Sequence, residues 1–158
     1  MRILFLIIFP LVSFTQDVEI GYWKDYLAYN QVTDLAIVNE KTYCIAQGGV
    51  FYYNNEDNSI NRISKINGLS ENQAEQIAFD KISNTILISY ENCNIDLVQE
   101  NEIINIPDVK RKEISGLKKI NNVYFKNNLA YLSCSFGVVV LDLIKKEIKD
   151  TYKIGENG

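Results

Sequence analysis

Twenty acidic side chains, sixteen basic ones, three cysteines and no histidine set the chemistry open to this chain of 158 residues. Without histidine there is no Ser–His or Cys–His nucleophile pair, and the imidazole ligands common at zinc and iron are missing. Carboxylates are plentiful, yet no two have the look of a general acid–base dyad. Asp96 and Asp142 fall at similar points of two apolar runs, IDLV and VVVLDL, where hydrogen bonding within the adjoining turns is the expected role. Asn54-Asn55-Glu56-Asp57-Asn58 is rich in oxygen. It lacks the ligand spacing and closing Glu of an EF-hand loop, so it reads as a hairpin turn rather than a calcium site. No glycine-rich phosphate loop occurs. The expectation is a protein with no catalytic residues, no metal and no cofactor, and with no ligand-binding residue that can be named.

Cys44, Cys93 and Cys134 are odd in number and widely spaced, and no CxxC is present. Neither a disulfide framework nor thiol redox chemistry is therefore expected. Cys44 and Cys134 sit inside apolar runs and read as small buried hydrophobes. Cys93, between two asparagines in a turn, is expected to be more exposed. The net charge is −4, with a sequence pI near 4.9. The longest basic cluster, Lys110-Arg111-Lys112, runs straight into Glu113 and reads as a solvated turn. There is no basic field to follow phosphates, so nucleic acid is not an expected partner.

These side chains are carried by a chain with two parts. Arg2, an apolar run over residues 3–12 and the small residues Ser13 and Thr15 form a short secretory signal pattern. About 20 apolar residues are needed to span a bilayer as a helix, so residues 1–15 read as a cleaved signal peptide and not as an anchor. The mature chain, from Gln16, is expected to be exported, with no membrane span, and either soluble or bound to the surface through something not in this sequence.

The rest is periodic. Gly49, Asn94 and Gly137 each precede an apolar run and stand 45 and 43 residues apart. Ile66-Asn67-Gly68 and Ile154-Gly155 stand 88 apart, twice 44. Each unit has the same grammar. A first strand (34–38, 76–79, 122–125) is followed by a polar turn and a second strand (42–46, 85–90, 129–133). A small or polar corner then leads to a third strand (50–53, 95–98, 138–143). A weaker alternating fourth follows, as at 60–66 and 148–154. Strand formers fill the runs, and Asn, Asp and Gly punctuate them. The nearest approach to a helical period is the short stretch 71–76. The third strand is apolar on both faces, as a strand covered on both sides must be, while the fourth alternates like an edge. Four short antiparallel strands every 40-odd residues are the repeat of a β-propeller blade. Gly49 and Gly137 are expected to take the positive φ that the corners need. The predicted fold is all-β, about three four-stranded antiparallel blades of a larger propeller. Residues 16–158 form its N-terminal, incomplete part, because propellers close with roughly four to eight blades. A stray strand over residues 20–26 is expected to precede the first blade.

Several phrases carry a resemblance. Gly21-Tyr22-Trp23 with Tyr29-Asn30 is similar to a Gly-x-Trp opening, and Asn67-Gly68-Leu69-Ser70 to the NGLS phrase of two-component-regulator-type propeller repeats. Residues 88–97 (ISYENCNIDL) resemble an IGYxNGNIDL pattern, with Ser89 and Cys93 standing where glycines are usual. With residues 120–125, 130–143 and 147–155, these are similar to the PorZ-like N-terminal propellers of type IX secretion, over nearly all of the mature chain. The resemblance implies a non-enzymatic protein of the outer-membrane cell surface in Bacteroidetes-type bacteria. It would work in the attachment complex that links secreted cargo to anionic lipopolysaccharide. The implied partners are a sortase-like peptidase, its outer-membrane partner and lipopolysaccharide itself. The alternative is the periplasmic sensor propeller of a hybrid two-component histidine kinase, where NGLS is equally at home. A propeller lyase or glycosidase fits least, for want of His or a carboxylate pair.

Overall fold

Alternating Ile, Val, Leu and Tyr favour extended backbone, and twelve strands form in the computed structural model, which describes residues 29–100 and 102–153. The signal segment and the stray strand expected at 20–26 lie outside the described residues. The first sheet holds β1 (Val32–Val38), β2 (Lys41–Ala46), β3 (Gly49–Asn54) and β4 (Ser59–Ile63). The second holds β5 (Ala74–Asp80), β6 (Thr85–Tyr90), β7 (Ile95–Gln99) and β8 (Glu102–Ile106). The third holds β9 (Ile120–Lys126), β10 (Leu129–Cys134), β11 (Gly137–Asp142) and β12 (Glu147–Lys153). Within each sheet the strands lie in sequence order and pair antiparallel. The expected three four-stranded blades are present.

Each first strand carries an irregularity that the repeat pattern did not announce. Register shifts fall between Val32 and Asp34, between Ala74 and Gln76, and at the Cys134↔Ile120 end of β9. A bulge frees a backbone group from the ladder and sharpens the local twist. The first strands lie side by side, β1 against β5 and β5 against β9. Asp34 Oδ2 accepts the Ile77 N–H at 2.8 Å, a bond from one blade to the next.

The middle blade is covered on both faces. All six residues of β6 are buried, and alternate ones serve different neighbours. Ile86, Ile88 and Tyr90 pack with Ala36, Ile45 and Val50 of the first blade. Leu87, with Ile95 and Leu97, packs with Ile120, Ala130, Leu132, Val139 and Leu141 of the third. The far faces of the outer blades are more open: Leu35 and Ile37 are 52% and 61% exposed, and Tyr124 and Tyr152 65% and 53%.

Several local expectations change. The fourth strand of the first blade stops at Ile63, because Ser64 caps a 3-10 turn over Lys65–Asn67. Its hydroxyl accepts the Ile66 N–H at 3.3 Å, and Asn67 Oδ1 accepts the Ser64 N–H at 3.0 Å. Gly68 then turns the chain at φ +107°. The NGLS phrase is therefore a capped turn. Residues 71–76 form no helix; Ala74 already begins β5. The basic cluster is a helical turn, α1 (Asp108–Arg111), although Lys110, Arg111 and Lys112 are exposed as expected. Gly49 does not bear the positive φ of the first corner. Gln47 (+48°) and Gly48 (+77°) do, the pairing of signs that a two-residue type I′ hairpin requires. Gly137 does take φ +137°, and a Cβ there would sit 2.0 Å from the Tyr152 carbonyl oxygen.

Ser89 lies opposite Ile95, on the side of β6 that faces the third blade. Its hydroxyl is fully buried and, among the described residues, is the buried side-chain polar atom without a hydrogen-bond partner. Because an unsatisfied buried donor costs about 1–3 kcal/mol, Ser89→Ala is expected to stabilise the protein by about 1 kcal/mol. Urea unfolding should show a higher midpoint at unchanged slope. A lower midpoint would mean that the hydroxyl is satisfied after all.

Candidate functional site

The polar residues gather where the second-to-third-strand turns meet the starts of the first strands. The Ala74 N–H donates to the Gly48 carbonyl at 2.9 Å, fastening the start of the second blade to a turn of the first. The Glu91 N–H donates to Gln73 O at 3.0 Å, and the Ser135 N–H to Lys119 O at 2.9 Å. Lys119 Nζ pairs with Glu75 at 3.0 Å, joining the third blade to the second. Thr33, Gln47, Gln73, Gln76 and Glu91 complete a shallow cleft around these groups. Its side chains offer amides, carboxylates and one ammonium, which suit recognition by hydrogen bonding. No nucleophile–base pair lies among them.

Among the described residues, one carboxylate accepts more hydrogen bonds than any other. Asp96 is fully buried at the second position of β7. Its Oδ2 accepts the Ser70 N–H at 2.7 Å and the Tyr90 hydroxyl at 2.6 Å. Its Oδ1 accepts the Ser70 hydroxyl at 2.6 Å and Asn105 Nδ2 at 2.9 Å. Asn105 also donates to Asn94 Oδ1 and to Ile95 O. Burial, and next the hydrogen bond to Asp96, drive the Tyr90 hydroxyl well above its ordinary pKa, so it stays a donor. Nearby, Lys110 Nζ bonds Glu71 and holds its carboxyl below the usual range. Asn94 Nδ2 reaches the same oxygen at 3.3 Å. Every Asp96 bond serves to hold the NGLS turn, β6, β7 and β8 together.

Asp142 is placed differently. It ends β11, whereas Asp96 is near the start of β7, so the two are not at matching points of their strands. Asp142 Oδ1 accepts the Ile144 and Lys145 N–H groups at 3.0 Å, and the Lys145 bond leads in lowering its pKa. Each carboxylate is committed to its own turn or blade. In the 54–58 segment the oxygens are likewise spent on a hairpin: Asn54 Oδ1 accepts the Glu56 N–H at 3.2 Å, and Asp57 Oδ1 the Ser59 N–H at 2.9 Å. Among the described residues, no group of three or more Cys, Asp or Glu could hold a metal ion.

The cysteines divide otherwise than expected. Cys44 is buried and Cys134 half-buried, while Cys93 is fully buried. The reason lies in the turn. Tyr90 N–H donates to Asn94 O at 3.0 Å and Cys93 N–H to Tyr90 O at 2.8 Å, and Cys93 takes the left-handed conformation at φ +61°. This is the three-residue hairpin whose last loop position favours glycine, and it places the Cys93 side chain in the apolar interface with the third blade.

Residues 42–158 match the family of the type IX secretion (TSS9) PorZ N-terminal β-propeller domain. The chain belongs to this family. The Gly-x-Trp opening lies outside the matched and the described residues alike. PorZ of Porphyromonas gingivalis, an essential bacterial surface component of the type IX secretion system of that organism, is similar in structure. The TM-score is 0.73 at 27% identity, over 77% of this chain and 16% of PorZ. The chain thus spans 16% of that relative's length. At fold level it is also similar to the extracellular domain assigned to a one-component system of B. thetaiotaomicron, with TM-score 0.66 at 16% identity over 78% and 17% of the two chains. AztD of Citrobacter koseri gives TM-score 0.57 at 14% identity, over 78% and 34%. No curated protein matches. Among the described residues no helix is long and apolar enough to cross a membrane.

Proposed function

We propose that this protein is a non-enzymatic β-propeller component of the type IX secretion system. It would act in the cell-surface attachment complex that joins secreted cargo to anionic lipopolysaccharide. The observation that carries this reading is the PorZ-family match over residues 42–158, with the structural likeness to a surface component of that system. A non-enzymatic role is supported by how the polar groups are spent: Asp96, Asp142, Glu71 and Glu75 all hold protein groups. The partners in this reading are a sortase-like peptidase, its outer-membrane partner and the lipopolysaccharide. The protein would reach the outer-membrane surface through the cleaved signal at residues 1–15. Deleting the gene in its native host and following a secreted cargo protein tests the proposal. Cargo is expected to lose its lipopolysaccharide-linked form, and to regain it on complementation. Cargo that stays linked in the deletion strain would refute it.

A second reading, the sensor propeller of a hybrid two-component system, is supported by the likeness to such an extracellular domain (TM-score 0.64, 15% identity). It requires a membrane helix and kinase downstream in the same reading frame; a second propeller and a β-sandwich there would support the first reading.

A further inference from the structure

The basic cluster of the sequence lies on the wall of a groove of about 390 Å³ between the second and third blades. These blades touch along their first strands, β5 against β9, and the groove opens away from that contact, where α1 faces β11 and β12. Its apolar lining comes from Val109 and Val139, both buried, and from Phe136 and Ile148, both half-buried. Arg111 and Lys112 line the same groove and are exposed. The turn that carries them is held in place. Lys110 is drawn off to Glu71, and Lys118 Nζ donates to the carbonyls of Val109, Lys110 and Lys112 at 3.4, 2.7 and 3.1 Å. Arg111 and Lys112 have no ion-pair partner among the described residues. Asp108 is the one carboxylate of the lining, and Glu113, next along the chain, is exposed outside it. The groove is therefore net positive in a protein whose net charge is −4.

We propose that this groove is a docking site for the C-terminal end of an extended peptide. The last side chain of that peptide is apolar and lies against Phe136, Val139 and Ile148. Its terminal carboxylate meets Arg111 and Lys112, and its backbone runs beside β12. Charge and polarity select this occupant. A guanidinium pairs a carboxylate through two parallel N–H groups, and an apolar side chain gains by leaving water for the floor of the groove. The backbone has a place of its own. β12 is the edge of the third sheet, so one side of its main chain has no strand partner. An added strand takes such bonds, whereas an acyl chain bearing the same carboxylate cannot. The volume is near the lower end for ligand pockets, about 300–1,000 Å³, which suits one or two side chains and not a folded partner.

The test uses the full-length protein and fluorescence anisotropy of a labelled hexapeptide of alternating threonine and valine that ends in valine. The probe with a free terminal carboxylate should bind about fivefold more tightly than the same probe amidated, the gain expected of two partly exposed ion pairs. A free-acid probe ending in serine should bind more weakly than the one ending in valine. Arg111→Glu with Lys112→Glu should bring the free acid to the level of the amide or below it, while amide binding stays within about twofold. Both side chains are exposed, and an unchanged thermal melt would confirm that the double variant folds. The comparisons among probes need no variant at all. Equal binding of acid and amide would overturn the proposal, as would equal binding of the serine and valine probes, a charge reversal that leaves the acid's advantage intact, or no saturable binding. Octanoate bound where the peptides do not bind would assign the groove to an acyl chain, and would overturn it as well.

Discussion

Asp96→Ala should be among the most destabilising single changes this protein can suffer, at roughly 3–5 kcal/mol. Each buried donor left without an acceptor costs about 1–3 kcal/mol. The change strands the Tyr90 hydroxyl and the Ser70 N–H, both bound to Asp96 Oδ2. Asn105 is less affected, since it keeps Asn94 Oδ1 and Ile95 O. Native stability is only about 5–15 kcal/mol in total, so the variant should be largely unfolded at physiological temperature. Asp96→Asn keeps the shape but turns one acceptor into a donor, and either orientation of the amide faces an N–H or O–H that needs an oxygen. It should therefore fall between the wild type and Asp96→Ala. Tyr90→Phe removes one donor and leaves the carboxylate three others, so it should be the mildest of the three. Urea unfolding of the series measures the order. An Asp96→Ala variant that lost less than 1 kcal/mol would show that the network is incidental to the fold.

Residues 16–158 expressed alone should aggregate or melt without a sharp transition, while a longer chain that supplies the neighbouring blades should be monomeric and cooperative. The far faces of the first and third blades present Leu35, Ile37, Tyr124 and Tyr152, each more than half exposed. Each large apolar side chain left uncovered forgoes about 1.5–3 kcal/mol. A few such losses rival the whole stability of a domain, about 5–15 kcal/mol. Size-exclusion chromatography with thermal melting on both chains decides the matter. A monomeric short chain with a sharp cooperative melt would mean that three blades suffice. A paired substitution, Leu35→Lys with Ile37→Lys, should reduce the association of the short chain, because it charges the open face without touching either blade interface.

The architecture was legible because a strand's pattern is local. Alternation in steps of two, and turn residues at fixed offsets, showed the three blades, the doubly covered inner strands and the hairpin at Asn54 to Asn58. What escaped depends on contacts between distant residues or on single dihedral angles. Ser70 and Asp96 are 26 residues apart, and nothing in NGLS announces that its serine will cap a buried carboxylate. Cys93 looked exposed because turns usually are; its left-handed φ turns the side chain inward, and no residue type signals that choice. Gly49 was credited with a conformation that Gln47 and Gly48 carry, because the two glycines are adjacent and only the register of the Ala46↔Gly49 pair distinguishes them. DVKR was too short to show a helical period, yet it closes one turn after Pro107. The candidate site fared least well. Its cleft is assembled from Thr33, Gln47, Gln73 and Glu91, residues with no common motif, brought together only when blades stack.

The burial of β6 on both sides has a kinetic consequence. To expose the amides of Thr85–Tyr90 to solvent, the middle blade must part from both the first and the third blade, whose side chains cover it on its two faces. Amide hydrogen exchange should therefore be slowest along β6, with opening free energies approaching that of global unfolding, and faster in β4 and β12 at the sheet edges. The blade built around this doubly covered strand is then the last to let go, and a natural seed for refolding. Its four strands are joined by short connections, so most of its contacts close small loops and form early.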